Sequence, residues 1–218
     1  MMPNKPSGDS GPTILSGSGE VDWQKLNFPT DKAQLEEMIM GIFVGSLPRQ
    51  GENCPDEATF LRVLSYKQNQ EYDLDFTLKT DRGDKLIDLM EIAPLKQLQG
   101  KYHKASGVYT VGEFSDYIVE GIMKKALKYG ALKHILLLCY DTHWAFRPSE
   151  TVFNLIRVAL LSRHHPFERV YHFSPIDSTF GAIEKLYPAP LQVLRYLDDG
   201  PYRNNKVINL PPDGWQPT

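Results

Sequence analysis

Tyr72-Asp-Leu-Asp75-Phe-Thr-Leu-Lys-Thr80, then Asp81-Arg-Gly-Asp84, then Lys85-Leu-Ile-Asp88-Leu-Met-Glu91-Ile-Ala93 is the stretch that decides the fold. Tyr72, Leu74, Phe76 and Leu78 alternate with Asp73, Asp75, Thr77 and Lys79, the two-residue period of a strand with one buried face. Asp81–Asp84 is turn chemistry. Lys85–Ala93 reads as the return strand, nearly continuous in apolar residues, with Asp88 and Glu91 embedded and Pro94 stopping it. The segment is therefore a β-hairpin whose second strand belongs inside a sheet.

Towards the N-terminus, Thr30 suits an N-cap, and Leu35, Met38, Ile39, Ile42 and Phe43 share one helical face. Gly45 and Pro48 are expected to end that helix, and Glu36 and Glu37 sit among its turns. Asn53–Lys67 reads as a short turn and then a strand over Arg62–Lys67. Towards the C-terminus, a polar loop over Lys96–Gly107 precedes a long helix over Val111–Tyr129. Its apolar face is Phe114, Ile118, Ile122, Ala126 and Tyr129, and Gly130 closes it. His134–Tyr140 is too short and too apolar for anything but a buried strand. Pro148–Leu161 is a further helix, Arg169–Phe173 a strand, and Ser178–Leu186 a short helix. Helices between the later strands imply parallel crossovers. The fold class is α/β, a mixed central sheet flanked by helices.

The 218 residues suffice for one domain with a sizeable core. Residues 1–20, rich in Gly, Ser and Pro, read as a disordered tail, 21–210 as a single α/β domain and 211–218 as a loose tail. Two cysteines, Cys54 and Cys139, exclude a disulfide scaffold. The longest apolar runs, Ile39–Val44 and Ile135–Tyr140, fall far short of the roughly 20 residues that span a bilayer. Met1–Gly19 has no apolar core of a secretory signal, which predicts a cytoplasmic address and no membrane partner. A net charge of −3 gives no global nucleic-acid signature.

The chemistry lies in the acids of the hairpin. A carboxylate on an apolar strand costs several kcal/mol unless it is paired, hydrogen-bonded or bound to a cation. The turn brings Asp75 opposite the stretch from Asp88 to Glu91, and two neighbouring carboxylates suit Mg²⁺ or Mn²⁺. Asp73 and Asp88 are alternative acids, and all of these can also lie on a solvent face or pair with a Lys or Arg. Lys96–Lys133 carries seven lysines against three acids, a local net charge of +4. Tyr102, His103 and Tyr109 in the same stretch suit stacking on bases, and ion pairs such as Glu120 with Lys124 suit a solvated helix face. Tyr140-Asp-Thr-His143-Trp144, directly after the buried strand, occupies the place where α/β domains carry sites. The spacing of Cys139, His143, His164 and His165 fits no zinc pattern. No Walker phosphate loop, dinucleotide fingerprint, His-Glu-x-x-His or Gly-x-Ser-x-Gly elbow is present.

From about Asp31 to Phe173 the chain resembles the PD-(D/E)XK nuclease superfamily, whose restriction-endonuclease-like αβββαβ core carries an Asp on its second strand and a Glu-x-Lys on its third. Tyr72–Leu78 looks like the Asp strand, Leu86–Ala93 like the Glu strand, and Glu36 or Glu37 corresponds to the helix acid. The resemblance implies Asp75, Glu91 and Glu37 as ligands of Mg²⁺ or Mn²⁺, with Asp75 and Glu91 catalytic, and DNA as substrate. The family's lysine position is Ala93 here. That departure implies an inactive descendant or a lysine from elsewhere, with Lys96, Lys101, Lys124 and Lys125 as candidates; Lys96 is taken as the catalytic one. Lys101, Lys104, Lys124 and Lys125 are then the nucleic-acid contacts. The alternative is a non-catalytic α/β interaction protein that uses a nuclease-like fold for binding, with a protein partner or a second copy of itself.

Overall fold

The structure, a computed structural model, describes residues 8–15, 17–51, 62–69, 74–93, 105–129, 132, 134–189 and 202–211. The elements are β1 (Thr13–Leu15), β2 (Val21–Trp23), α1 (Lys32–Gly51), β3 (Val63–Gln68), β4 (Phe76–Thr80), β5 (Gly83–Glu91) and β6 (Val108–Thr110). They continue with α2 (Val111–Lys128), β7 (Ile135–Tyr140), α3 (Glu150–Ser162), β8 (Phe167–Pro175), β9 (Gly181–Tyr187) and β10 (Lys206–Ile208). The expected turn over 53–61, the helix-closing Gly130 and the tail at 212–218 lie outside the described residues.

The hairpin forms as its pattern requires. Asp81 and Arg82 make the turn, and Gly83 enters β5 at φ 101°, a conformation that favours glycine. Thr80 pairs with Gly83 and Phe76 with Ile87, antiparallel. Phe76, Leu78, Ile87 and Leu89 all point into one core.

The central sheet has six strands in the order β3-β4-β5-β7-β8-β9. β5, β7 and β8 run parallel, while β3, β4 and β9 join antiparallel at the two edges. The protein is thus mixed α/β with three helices in its described part. Leu35, Ile39, Ile42 and Phe43 of α1 pack on one face of the sheet with Leu136, Leu138, Tyr171 and Phe173. Phe114, Ile118 and Ile122 of α2, with Val152 and Ile156 of α3, pack on the other with Leu137, Cys139 and Val170. The alternation of Leu136/Leu138 with Leu137/Cys139 explains why β7 reads as one unbroken apolar run: both of its faces are covered. Among the described residues no helix is long and apolar enough to cross a membrane.

Three local expectations change. The Asp31 side chain, not that of Thr30, accepts the Gln34 N–H (3.0 Å) at the start of α1. α1 runs past Gly45 and Pro48, because its end is held on the sheet: Ser46 Oγ donates to Ile42 O (2.7 Å) and accepts from Gly181 N (2.9 Å). The expected helix over Ser178–Leu186 is instead strand β9, paired with β8 along six residue pairs. Gly181 permits that pairing, since a Cβ there would stand 2.2 Å from the Phe173 ring. The N-terminal segment is also partly built into the fold. Ser10 is buried, its hydroxyl donates to Pro175 O (3.1 Å), and β1 pairs with β2.

α2 carries a complete capping box: Thr110 Oγ1 accepts from Glu113 N (3.1 Å), and the Glu113 carboxylate accepts from Thr110 N (3.2 Å). Thr110→Ala is expected to lower stability by about 1 kcal/mol, read as a lower denaturation midpoint at unchanged slope.

Candidate functional site

The hairpin register decides which acids meet. Beyond the last β4–β5 pair, Phe76 with Ile87, the chain bends at Asp75. Asn69 splints the bend: its backbone N–H donates to Asp75 O (2.9 Å) and its side-chain amide to Leu74 O (2.6 Å). The Asp75 side chain then turns onto β5, where Oδ2 accepts the Leu89 N–H (2.7 Å) and the carboxyl hydrogen-bonds that of Asp88. Asp88 is 1% exposed and lies on the α2 face of the sheet, beside Leu137. Lys125 of α2 and Tyr129, which caps its C-terminal end, reach down to its Oδ2, Lys125 Nζ at 2.8 Å and Tyr129 Oη at 2.7 Å. From α1, Glu36 (6% exposed) adds negative charge near Asp75 and holds Lys32 at 3.2 Å.

Burial, then the hydrogen bond with Asp88 and its charge, push the Asp75 carboxyl up to about 7. Burial would drive Asp88 up too, but the hydrogen bond from Asp75 and the charge and hydrogen bonds of Lys125 and Tyr129 outweigh it and hold Asp88 below the ordinary carboxylate range. Of the two, Asp75 is therefore the one that keeps a proton towards neutral pH, while Asp88 stays ionised. The Lys32 ammonium is disfavoured by burial, yet Glu36, Asp75 and Asp88 together raise its pKa.

This pair has a signed consequence. A carboxyl whose folded pKa is raised contributes stability that is complete below its unfolded value, 3.8, and is lost as pH rises through about 7. Asp75→Asn keeps the neutral shape at every pH. Its melting temperature should exceed the wild type's at pH 8.5, with the gap narrowing at pH 5.5; an equal gap at both pH values would refute a proton held on Asp75.

Glu91 does not join this pair. It lies three residues after Asp88, an odd spacing that sends it to the other face of β5, level with Tyr140. There it accepts from Thr142 Oγ1 (3.0 Å). Glu37 is exposed, and Glu36 is the helix acid turned inward. Lys125 reaches the acids and Lys124 is exposed to solvent. Lys96, Lys101, Lys104 and Asp73 lie outside the described residues. The missing piece was the register: once the structure sets Thr80 against Gly83, counting back along both strands brings Asp75 to Asp88.

No protein-family model, no curated protein and no solved structure matches this chain. The site has to be judged on its own chemistry.

A second polar cluster closes the carboxyl ends of β7 and β8. Asp141, fully buried, accepts from Ser174 Oγ, lies 3.2 Å from His172 Nε2 and 3.9 Å from Arg147 Nε. Burial would raise the Asp141 carboxyl, but His172, Arg147 and Ser174 hold it low. The aspartate, not the histidine, stands between the other two, so His172 does not activate the Ser174 hydroxyl and these three form no nucleophilic triad. Nδ1 of His143 accepts the Ala145 N–H (3.2 Å), a capping role, and burial lowers its pKa. Cys139 is a free, fully buried core residue whose thiol is pushed up by burial.

The carboxylates of Asp75 and Asp88 are hard oxygen donors of the kind Mg²⁺ and Mn²⁺ take. Among the described residues, no three His, Cys, Asp or Glu side chains gather closely enough to hold a metal by themselves. That is compatible with Mg²⁺, which is commonly held by one or two carboxylates, keeps several waters and accepts phosphate oxygens.

Proposed function

We propose that the protein is a divalent-metal-dependent nuclease-like phosphodiesterase whose site is Asp75, Asp88 and Lys125, with Glu36 in support. The observation that carries this reading is the pairing of Asp75, at the bend before β4, with Asp88 on β5 under a lysine from α2. A bound Mg²⁺ or Mn²⁺ would supply Lewis-acid stabilisation of a phosphate oxygen and a more acidic water. Asp75 and Asp88 would hold it, and Asp75 can store or release a proton near neutral pH. Lys125, 27% exposed at its side chain, stands at the mouth of the pair with a positive charge for the phosphate.

The resemblance to PD-(D/E)XK nucleases supports the same assignment with one change of residue. Helix α1, strands β3, β4 and β5, helix α2 and strand β7 follow in the order of that core, with the short strand β6 interposed before α2, the first acid just before β4 and the second on β5. Asp88 takes the place assigned to Glu91 from the sequence. The position two residues after Asp88 is Met90, and Lys125 brings the ammonium from α2 instead. DNA is the proposed substrate, contacted through Lys124, Lys125 and the lysines of the preceding loop.

A thermal melt with and without Mn²⁺ tests the metal. The wild type should melt at a higher temperature with Mn²⁺, since a ligand of the native state stabilises it, and Asp88→Asn should lose the shift. The absence of any shift at millimolar Mn²⁺, with no cleavage of DNA, would favour the non-catalytic interaction protein, in which Lys125 and Tyr129 simply neutralise a buried acid.

A further inference from the structure

The two donors on Asp88 Oδ2 are unlike. Tyr129 is 7% exposed, packed in the core between α2 and the sheet, with Lys128 Nζ 5.0 Å over its ring. It is neutral and fixed by packing. Lys125 is charged and its side chain keeps more than a quarter of its surface in solvent. One oxygen of Asp88 thus has a permanent donor and an exchangeable one, and the Asp75 carboxyl lies alongside.

We propose that Tyr129 is the positioning residue of the site: it holds Asp88 aligned with Asp75, so that Lys125 can leave Oδ2 for a substrate phosphate without loss of the carboxylate's orientation. This deepens the metal-site reading and rests on it. The physical argument is a division of labour. If Lys125 alone oriented Asp88, its departure would free the carboxylate to rotate, and a cation held by two carboxylates would lose one of them. A neutral hydroxyl orients the oxygen without adding a positive charge that repels the cation. Partners that orient a ligand in this way typically carry a 10–100-fold effect on metal affinity. Lys125, by contrast, competes with any cation for the same carboxylate.

The two residues are therefore expected to act with opposite signs. The test is titration of the full chain with Mn²⁺, followed by calorimetry, with each variant's metal-free melting temperature measured alongside. Tyr129→Phe keeps the ring and the packing and removes only the hydroxyl, so it should weaken Mn²⁺ binding by about tenfold. Lys125→Met keeps the apolar stem and removes the charge, so it should tighten Mn²⁺ binding by about threefold. A purely structural role for the Tyr129 hydroxyl would lower the metal-free melting temperature and leave the Mn²⁺ dissociation constant within twofold of wild type, and that result overturns the proposal. Weakening by both variants also overturns it, because Lys125 would then be part of the same scaffold. If the wild type itself binds no Mn²⁺, the metal-site reading falls and this inference with it, whereas binding by wild type with an unchanged constant in Tyr129→Phe removes the inference alone.

Discussion

Replacement of both Asp75 and Asp88 by Asn is expected to lower Mn²⁺- or Mg²⁺-dependent cleavage of a labelled DNA by at least about 1,000-fold, equivalent to about 4 kcal/mol of lost transition-state stabilisation. Among the described residues, the hairpin register places these two carboxyls against one another and no other acid of β4 or β5 beside them. Glu91 is on the far face of β5 and cannot move across without a one-residue slip that would also expel Ile87 and Leu89 from the core. The asparagines keep the shape of the acids, and an amide oxygen at position 75 can still accept the Leu89 N–H, while Lys125 loses its counter-charge. The double variant should still fold, with its metal-free melting temperature recorded as the baseline for the comparison. Single-turnover cleavage and a melt of the same preparation separate chemistry from folding. Undiminished cutting by a folded double variant would place any active centre elsewhere.

Arg157→Ala is expected to destabilise the protein by about 2 kcal/mol, read as a lower denaturation midpoint. The guanidinium, with only 5% of the side chain exposed, ties α3 to strand β9 at the sheet edge. Nε donates to Lys185 O (3.0 Å), Nη1 to Glu150 (2.7 Å) and Asn154 (2.9 Å), and Nη2 to Glu184 (3.0 Å), while the cation lies 5.9 Å over the Phe153 ring. Its removal takes one hydrogen bond from the Lys185 carbonyl, takes the counter-charge from two exposed acids and opens a gap above Phe153. Arg157→Met should recover part of the loss through its apolar stem. Arg203, which pairs with Asp116 on the surface, is the contrast: both side chains are well exposed, and Arg203→Ala should change stability by less than about 1 kcal/mol. Equal effects at the two arginines would show that the Arg157 network adds little to holding β9.

Much of the fold is legible in the chain because local pattern and tertiary demand agree. α2 has its cap at Thr110, its stripe at Phe114, Ile118 and Ile122, and its burial on the same face. β7 is apolar on both faces because helices cover both faces. β9 is the opposite case. Its seven residues carry a pattern weak enough to suit a helix or a strand, and the open edge of β8 decides for the strand. Gly45 and Pro48 signal a helix end, yet packing of Ser46 against Gly181 carries α1 beyond them. Local punctuation loses there because the helix end gains a buried contact that the isolated segment lacks.

The site divides in the same way. The sequence alone determined that carboxylates sit on a core-forming hairpin, and that such acids demand a partner, because an apolar strand cannot solvate a charge. Asp75 is one candidate from that argument, with Asp73 beside it, and the resemblance adds a lysine from outside the strand, with Lys125 among its candidates. Only the tertiary structure decided that the partner is Asp88 rather than Glu91, that Glu36 rather than Glu37 faces inward, and that Lys125 and Tyr129 converge on one oxygen. The reason is geometric. A strand reverses the direction of its side chains at every residue and a helix rotates them by about 100° per residue, so a shift of a single position changes which charge is buried. Register and helix rotation are fixed by the packing of the whole sheet between its two helical layers, and the identity of the residues at the site follows from that packing.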